Sequence, residues 1–322
     1  MARVDFAARL AITSGRASCG ALGLVRLVNL RTKLPAKTLG KQTTGMSGSK
    51  SVNKSFGVRS GEAHRFMAKV SLFIPCFVDQ LLPDIGMDMA RVLERTGFQL
   101  DFPREQTCCG QPAFNSGYWN DARPIAERFV RVFQSADAVV CPSGSCTTMV
   151  RVFYPELLAG TALAGEAAQL GKRVYEFSEF LVNVAKITDV GAAFPHRVAY
   201  HDACHALREL HLKKEPRELL GHVRGIELVE MPNSEECCGF GGTFSTKFDM
   251  ISSAMGETKS RNAESSGAEY LTSTDPSCLM QIDGILRHKK SRLRTIHLAS
   301  ILAQTGTTAE NQLLDKRRTA AR

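Results

Sequence analysis

No run of 18 apolar residues occurs anywhere in the 322-residue chain, so it has no stretch long enough for a membrane-crossing helix. A secretory signal is missing too: no apolar h-region is followed by an A-x-A-like cleavage site. Ten cysteines would otherwise suggest a disulfide framework, but the chain gives no sign of an oxidising compartment, and disulfides are not expected. The short C-x2-C knuckles typical of structural zinc are absent, and so is the G-x-G-x-x-G fingerprint of a dinucleotide fold. Phe240-Gly-Gly242 comes nearest to that fingerprint but lacks its spacing, so no flavin or NAD site is expected.

Acid is scarce in one region only. Residues 1–66 carry twelve Lys/Arg against two Asp/Glu, whereas the rest of the chain carries 29 against 30. The net charge of +9 is therefore a property of the leader, and the body gives no electrostatic reason to expect a nucleic-acid partner. Arg9, Arg16, Arg26 and Arg31, set among small and apolar residues, suit a mitochondrial transit peptide; a mis-set start is the alternative, because Met67-Ala-Lys-Val would open the fold directly. Residues 1–66, with Cys19, are read as a disordered basic leader and left out of the fold.

Against these absences stands a doubled cysteine pattern. Cys108-Cys109-Gly110 recurs as Cys237-Cys238-Gly239, and single cysteines flank both pairs in like register. C-x31-CCG-x35-C (Cys76 to Cys146) is followed by C-x32-CCG-x38-C (Cys204 to Cys278), the mark of an internal repeat. Adjacent cysteines bridge each other poorly, but from one turn they can aim two sulfurs at one metal centre, with glycine allowing close backbone approach.

The remaining pattern is α/β. Short apolar runs at 70–74, 98–102 and 138–141 alternate with helical stretches at 80–96, 122–134 and 145–153, the last expected to stop before Pro155. Two connecting helices are expected at 162–170 and 176–187. The cycle restarts with strands at 197–200, 227–230 and 270–273, helices near 215–222, 246–265 and 276–288, and a closing strand–helix at 295–303. Such alternation implies two mostly parallel sheets of Rossmann type, read as domains 67–190 and 191–306 with a tail at 307–322. Ligands of such sheets gather at the carboxyl ends of the strands, which is where the repeat cysteines fall. Four thiolates brought there could hold zinc or an iron–sulfur cluster, and their wide spacing suits the larger, multi-iron object.

The chain from Met67 to Gly306 resembles the cysteine-rich CCG-domain proteins, specifically the lactate utilisation protein A family. The motifs carrying the likeness are Phe73-Ile-Pro-Cys76-Phe-Val-Asp-Gln80, Glu105-Gln-Thr-Cys108-Cys109-Gly110-Gln-Pro112 and Cys141-Pro-Ser-Gly-Ser-Cys146. The second half adds His201-Asp-Ala-Cys204-His205, Arg208-Glu-Leu210 and Cys237-Cys238-Gly239-Phe-Gly-Gly-Thr243. The resemblance implies one or two [4Fe-4S] clusters, Cys76, Cys108, Cys109 and Cys146 holding one and Cys204, Cys237, Cys238 and Cys278 the other. Related heterodisulfide reductase subunits end their ligand set in C-x-x-C; here Ser143 and Asp275 stand where the first of those cysteines belongs. Four-cysteine clusters are then expected, with Cys141 a candidate fifth sulfur in the first half and Asp275 a candidate oxygen ligand in the second. The resemblance further implies an iron–sulfur electron-transfer subunit of a complex that oxidises L-lactate or a related 2-hydroxy acid to pyruvate. Its expected partners are a ferredoxin-like iron–sulfur protein and a third lactate-utilisation subunit. The expected compartment is the cytoplasm, or the mitochondrial matrix if the leader is a transit peptide. A thiol–disulfide reductase, or a zinc- or cluster-binding scaffold without turnover, is the alternative.

His201, Asp202 and His205 flank Cys204. They either tune a cluster, His205 even replacing a ligand, or serve to cap the following helix and pack its loop. Arg208 either balances cluster charge or lies on a solvated face, and His297 is expected to be structural. Cys204 beside His205 also has the form of a nucleophile–base pair, but that leaves the other seven registered cysteines without a role.

Overall fold

A computed structural model describes residues 69–307. The leader, Cys19 and the tail beyond residue 307 lie outside the described residues. Eight strands form two four-stranded, wholly parallel sheets. The first runs β2-β1-β3-β4, with β1 Lys69–Leu72, β2 Gln99–Asp101, β3 Val139–Cys141 and β4 Val174–Glu176. The second repeats that order as β6-β5-β7-β8, with β5 Arg197–Tyr200, β6 Glu227–Val229, β7 Tyr270–Ser273 and β8 Arg294–His297. The inner strands β3 and β7 are buried along their whole length, as parallel strands covered by helices on both faces must be.

In each sheet the chain leaves the first strand for an edge, then crosses back to that strand's other side. This reversal opens a crevice beyond the carboxyl ends of β1 and β3, and of β5 and β7. Cys76, Cys108, Cys109 and Cys146 follow β1, β2 and β3 in turn; Cys204, Cys237, Cys238 and Cys278 follow β5, β6 and β7.

Several elements differ from expectation. Val174–Glu176 is a strand where none was expected, and the helix expected from residue 176 starts at Phe177; three residues paired to β3 are too few to show a period. The helix expected at 80–96 is two, Cys76–Leu81 and Pro83–Arg95, because Pro83 lacks an N–H to continue the first and instead opens the second. The helix through Cys146 does not stop before Pro155: Gly144–Thr148 widens into a π-helical turn at Met149–Phe153 and resumes at Tyr154–Leu157, with Pro155 in its first turn. Cys204 begins a short helix, Cys204–Arg208. The helix expected at 246–265 is broken at Phe248 into Phe244–Lys247 and Asp249–Ser265.

The two sheets share one apolar core. Leu72, Met89, Val140 and Phe177 of the first unit pack in the same cluster as Val198, Tyr200, Leu219 and Leu298 of the second. The closing helix, Leu298–Ala303, lies against Pro83–Arg95, and Arg95 donates to the carbonyls of Ala303 (3.1 Å) and Leu302. Two satellite clusters sit behind the CCG loops, one including Cys109 and Cys141, the other Cys238 and Cys278.

Candidate metal centre

Both CCG turns depend on their glycine. Gly110 (φ +84°) and Gly239 (φ +86°) occupy the left-handed region, which other residues enter at a cost. At Gly239 a Cβ would also lie 2.6 Å from the Ser252 carbonyl oxygen. Each turn directs a backbone N–H back to the first sulfur of its pair: Gly110 N to Cys108 Sγ and Gly239 N to Cys237 Sγ, both at 3.4 Å.

The distant cysteines close on these turns. Cys76 Sγ donates to Cys108 Sγ at 3.4 Å, Cys108 also bonds Cys109, and Cys109 bonds Cys146. The second half repeats that sequence of contacts as Cys204–Cys237–Cys238–Cys278. All nine cysteines of the described residues are free thiols. Within each quartet, hydrogen bonds from neighbouring thiols hold one sulfur ionised. Cys109 and Cys76 draw Cys108 down to about 3, and Cys204 and Cys238 draw Cys237 down to about 2. The same hydrogen bonds, with burial, push Cys76, Cys109, Cys204 and Cys238 upward. Four thiolates this close cannot all ionise against one another, but a cation among them reverses that balance. The donor chemistry therefore fits a thiolate-ligated metal or cluster.

The positions beside the quartets have other duties. Ser143 and Asp275 are matching helix N-caps: Ser143 Oγ accepts from Cys146 N at 3.4 Å, and Asp275 Oδ1 accepts from Ser277 N at 3.1 Å. Asp275 Oδ2 accepts from Ser145 N at 2.8 Å, across the junction of the halves. Both oxygens of the expected oxygen ligand are thus engaged with protein donors. Cys141 is buried at the end of β3 with its Sγ 3.7 Å from the Ser143 carbonyl. The ring of His205 meets that of Phe153, in the first half, edge-on at 6.2 Å. His201 instead brings a ring nitrogen within 4.8 Å of the sulfurs of Cys238 and Cys278, which also lie within that distance of each other.

None of the three residues flanking Cys204 caps its helix. Ala203 holds the cap position, and Asp202 is gripped by both terminal nitrogens of Arg217, at 2.7 and 2.9 Å. Arg208 is exposed, and His297 caps the last helix by accepting from Ala299 N at 3.1 Å.

The two quartets adjoin. The helix bearing Cys146 meets the one bearing Cys278 through Ser145 and Asp275, and Gly144 N donates to the Thr274 carbonyl at 3.3 Å. A Cβ on Gly144 would stand 2.7 Å from Ala206 Cβ, in the helix that starts at Cys204. Phe77, next to Cys76, packs edge-on against Phe240 at 5.5 Å, and Ser116 and Thr243 share a 2.9 Å hydrogen bond.

Three supporting residues escaped the sequence reading. Gln106 ties the first turn down, accepting from Ile74 N (2.8 Å) and donating to the Leu72 (3.1 Å) and Pro103 (2.9 Å) carbonyls. Tyr154 donates to the Cys109 carbonyl at 2.9 Å. Lys259 is buried, its Nζ donating to the carbonyls of Asn233 (2.5 Å) and Ser234 (3.3 Å) beneath the second turn. Its register with Ser252, Gly256 and Ala263 on the buried helix face was the available signal.

The cysteine-rich CCG domain model matches residues 70–151 and again 198–283. Lactate utilization protein A of Geobacillus thermodenitrificans (strain NG80-2) is 45% identical over 235 residues, which cover 73% of this chain and 98% of that protein. The Bacillus subtilis (strain 168) protein of the same name is 44% identical over the same spans. Among solved structures, a hypothetical protein from Helicobacter pylori superposes with a TM-score of 0.53 at 10% identity, covering 76% of this chain and 50% of that one, a likeness of fold alone.

Proposed function

Because the chain belongs to the lactate utilization protein A family of cysteine-rich CCG-domain proteins, we propose that it serves lactate oxidation as an electron-carrying subunit. Each of its two quartets would hold one iron–sulfur cluster, a larger object than the zinc ion that close C-x2-C knuckles grip. Cys76, Cys108, Cys109 and Cys146 would hold one cluster, and Cys204, Cys237, Cys238 and Cys278 the other. The observation carrying this reading is the identical order of sulfur contacts in the two halves, closed by cysteines more than thirty positions from their CCG turn.

When bound, the clusters supply one-electron chemistry, accepting electrons released as a 2-hydroxy acid becomes a 2-oxo acid. The chain's own residues bind and shield them. Gly110 and Gly239 give N–H groups to sulfur, which favours the thiolate form. Cys109, Cys238 and Cys278 are buried, while the first cysteine of each quartet and of each CCG pair is partly exposed, leaving each site an open side. Across the junction, Ser145 and Asp275 fix one ligand helix against the other, so the two sites keep a set separation. A ferredoxin-like iron–sulfur protein and a third subunit complete the proposed complex, with the substrate site outside this chain's thiol quartets.

The full chain purified without oxygen should be brown and carry about four to eight irons. It should show a reversible reduction in a redox titration followed by electron paramagnetic resonance. A colourless protein holding stoichiometric zinc after anaerobic reconstitution with iron and sulfide would overturn the reading.

A further inference from the structure

The two halves differ at one place beside their quartets. Three positions before Cys76 stands Phe73; three before Cys204 stands His201. Seven positions beyond the carbonyl beneath each CCG glycine, Ala122 in one half and Ser252 in the other, stand Phe129 and Lys259. In the first half Phe73 and Phe129 pack edge to face at 4.8 Å, a purely apolar contact. In the second half their counterparts converge on one acceptor. The Ser234 carbonyl lies 3.2 Å from His201 Nδ1 and receives the Lys259 ammonium at 3.3 Å.

That carbonyl decides the tautomer. A carbonyl oxygen only accepts, so Nδ1 must carry the proton, and the Nε2 lone pair is left unprotonated. His201 is wholly buried, and its Nε2 has no hydrogen-bond partner although it lies in the interior. A buried acceptor without a donor is costly. A nitrogen of the same ring lies within 4.8 Å of the sulfurs of Cys238 and Cys278. An imidazole whose Nδ1–H is fixed by a backbone carbonyl, whose Nε2 is unpartnered and whose ring borders two thiols has the arrangement of a metal-ligating histidine.

We infer that His201 Nε2 is a ligand of the second centre. That centre then has a mixed imidazole–thiolate donor set, while the first, with Phe73 in the matching place, is bound by sulfur alone. The inference rests on the proposal that the quartets hold iron. An imidazole added to four thiolates changes the charge distribution and hydrogen bonding around the second centre, so the two centres differ in reduction potential.

The test uses the full chain purified anaerobically with natural-abundance or 15N-labelled histidine, then reduced and examined by pulsed electron paramagnetic resonance. The expected result is a strong nitrogen coupling that changes with the isotope. It should vanish in His201→Phe and in the milder His201→Gln, and persist in His205→Phe. Redox titration of His201→Gln should shift the potential of the second centre and leave the first unmoved, which a merely structural histidine would not do. Labelling of the unaltered chain decides whether any histidine binds iron, even if a variant fails to fold. Iron-loaded protein with no histidine coupling, or a coupling that survives in His201→Phe, overturns the assignment while leaving the cluster reading intact. Protein that takes up no iron overturns both.

Discussion

Cys109 and Cys238 are the most shielded members of their CCG pairs, each bonded to two neighbouring sulfurs. Replacing either by serine should cost one centre and leave the other, read as a loss of about half the iron and of one of two resonance signals. The two CCG glycines should respond differently to alanine. Both would force a side chain into the left-handed region, at about 1 kcal/mol. Gly110 otherwise has room, its nearest neighbour being 3.5 Å from an added Cβ, whereas at Gly239 backbone stands 2.6 Å away. Gly239→Ala should therefore destabilise by at least about 2 kcal/mol more than Gly110→Ala, measured by urea unfolding. Glu176 gives a residue-scale pH dependence. Burial raises its carboxyl to about 8, so the folded protein holds a proton there that the unfolded chain releases near its ordinary value. Stability from this group is complete below pH 4.5 and is lost as pH rises towards 8. Glu176→Gln, compared with the parent chain between pH 6.5 and 8, should remove a fall of about 2 kcal/mol. Identical slopes in the two proteins would show that Glu176 ionises freely.

At the scale of elements, the helices after β3 and β7 bring Cys146 and Cys278 into their quartets, and each depends on its cap. Ser143 does this within its own half, while Asp275 caps Pro276–His288 and also receives Ser145 N from the other half. Asp275→Ala should thus cost more than a cap's usual ~1 kcal/mol, because it also leaves the Ser145 N–H without its acceptor. Asp275→Asn, which keeps only one acceptor oxygen, can satisfy Ser277 N or Ser145 N but not both, and should recover only part of the loss in the same unfolding assay. If Asp275→Ala costs no more than Ser143→Ala, the cross-junction bond adds nothing to the cap. The periodic elements were legible in the sequence: β5, β7 and the helix Pro276–His288 fall at the expected residues, since apolar runs and a leading proline mark them plainly. The strand at 174–176 and the π-helical turn at 149–153 were not, because pairing and packing against neighbours create them.

For the whole molecule, the shared core decides behaviour under stress. Leu298–Ala303 belongs to the second half in sequence but packs on Pro83–Arg95 of the first, so neither sheet keeps its covering if the other unfolds. The chain should unfold as one unit. Its single tryptophan, Trp119, lies in the first half and its fluorescence reports there, while far-ultraviolet circular dichroism reports all helices. Coincident transitions in the metal-free protein are expected; a fluorescence change well before the dichroism change would mean that the halves melt separately.

What belonged to the sequence alone was the repeat. Spacing survives translation into structure because each CCG turn is local and a strand end can be read from its apolar run, so the eight cysteines and the parallel α/β class were visible without coordinates. The choice among the polar residues around them was not visible. His201 and His205 are equally near Cys204 in the chain, and only the direction of each side chain after β5 sends one towards Cys238 and Cys278 and the other towards Phe153. Asp275 likewise reads as a possible ligand until the fold supplies Ser145 and Ser277 as its donors. Tertiary structure settles such cases because hydrogen-bond partners remote in sequence determine which lone pairs stay free for a metal.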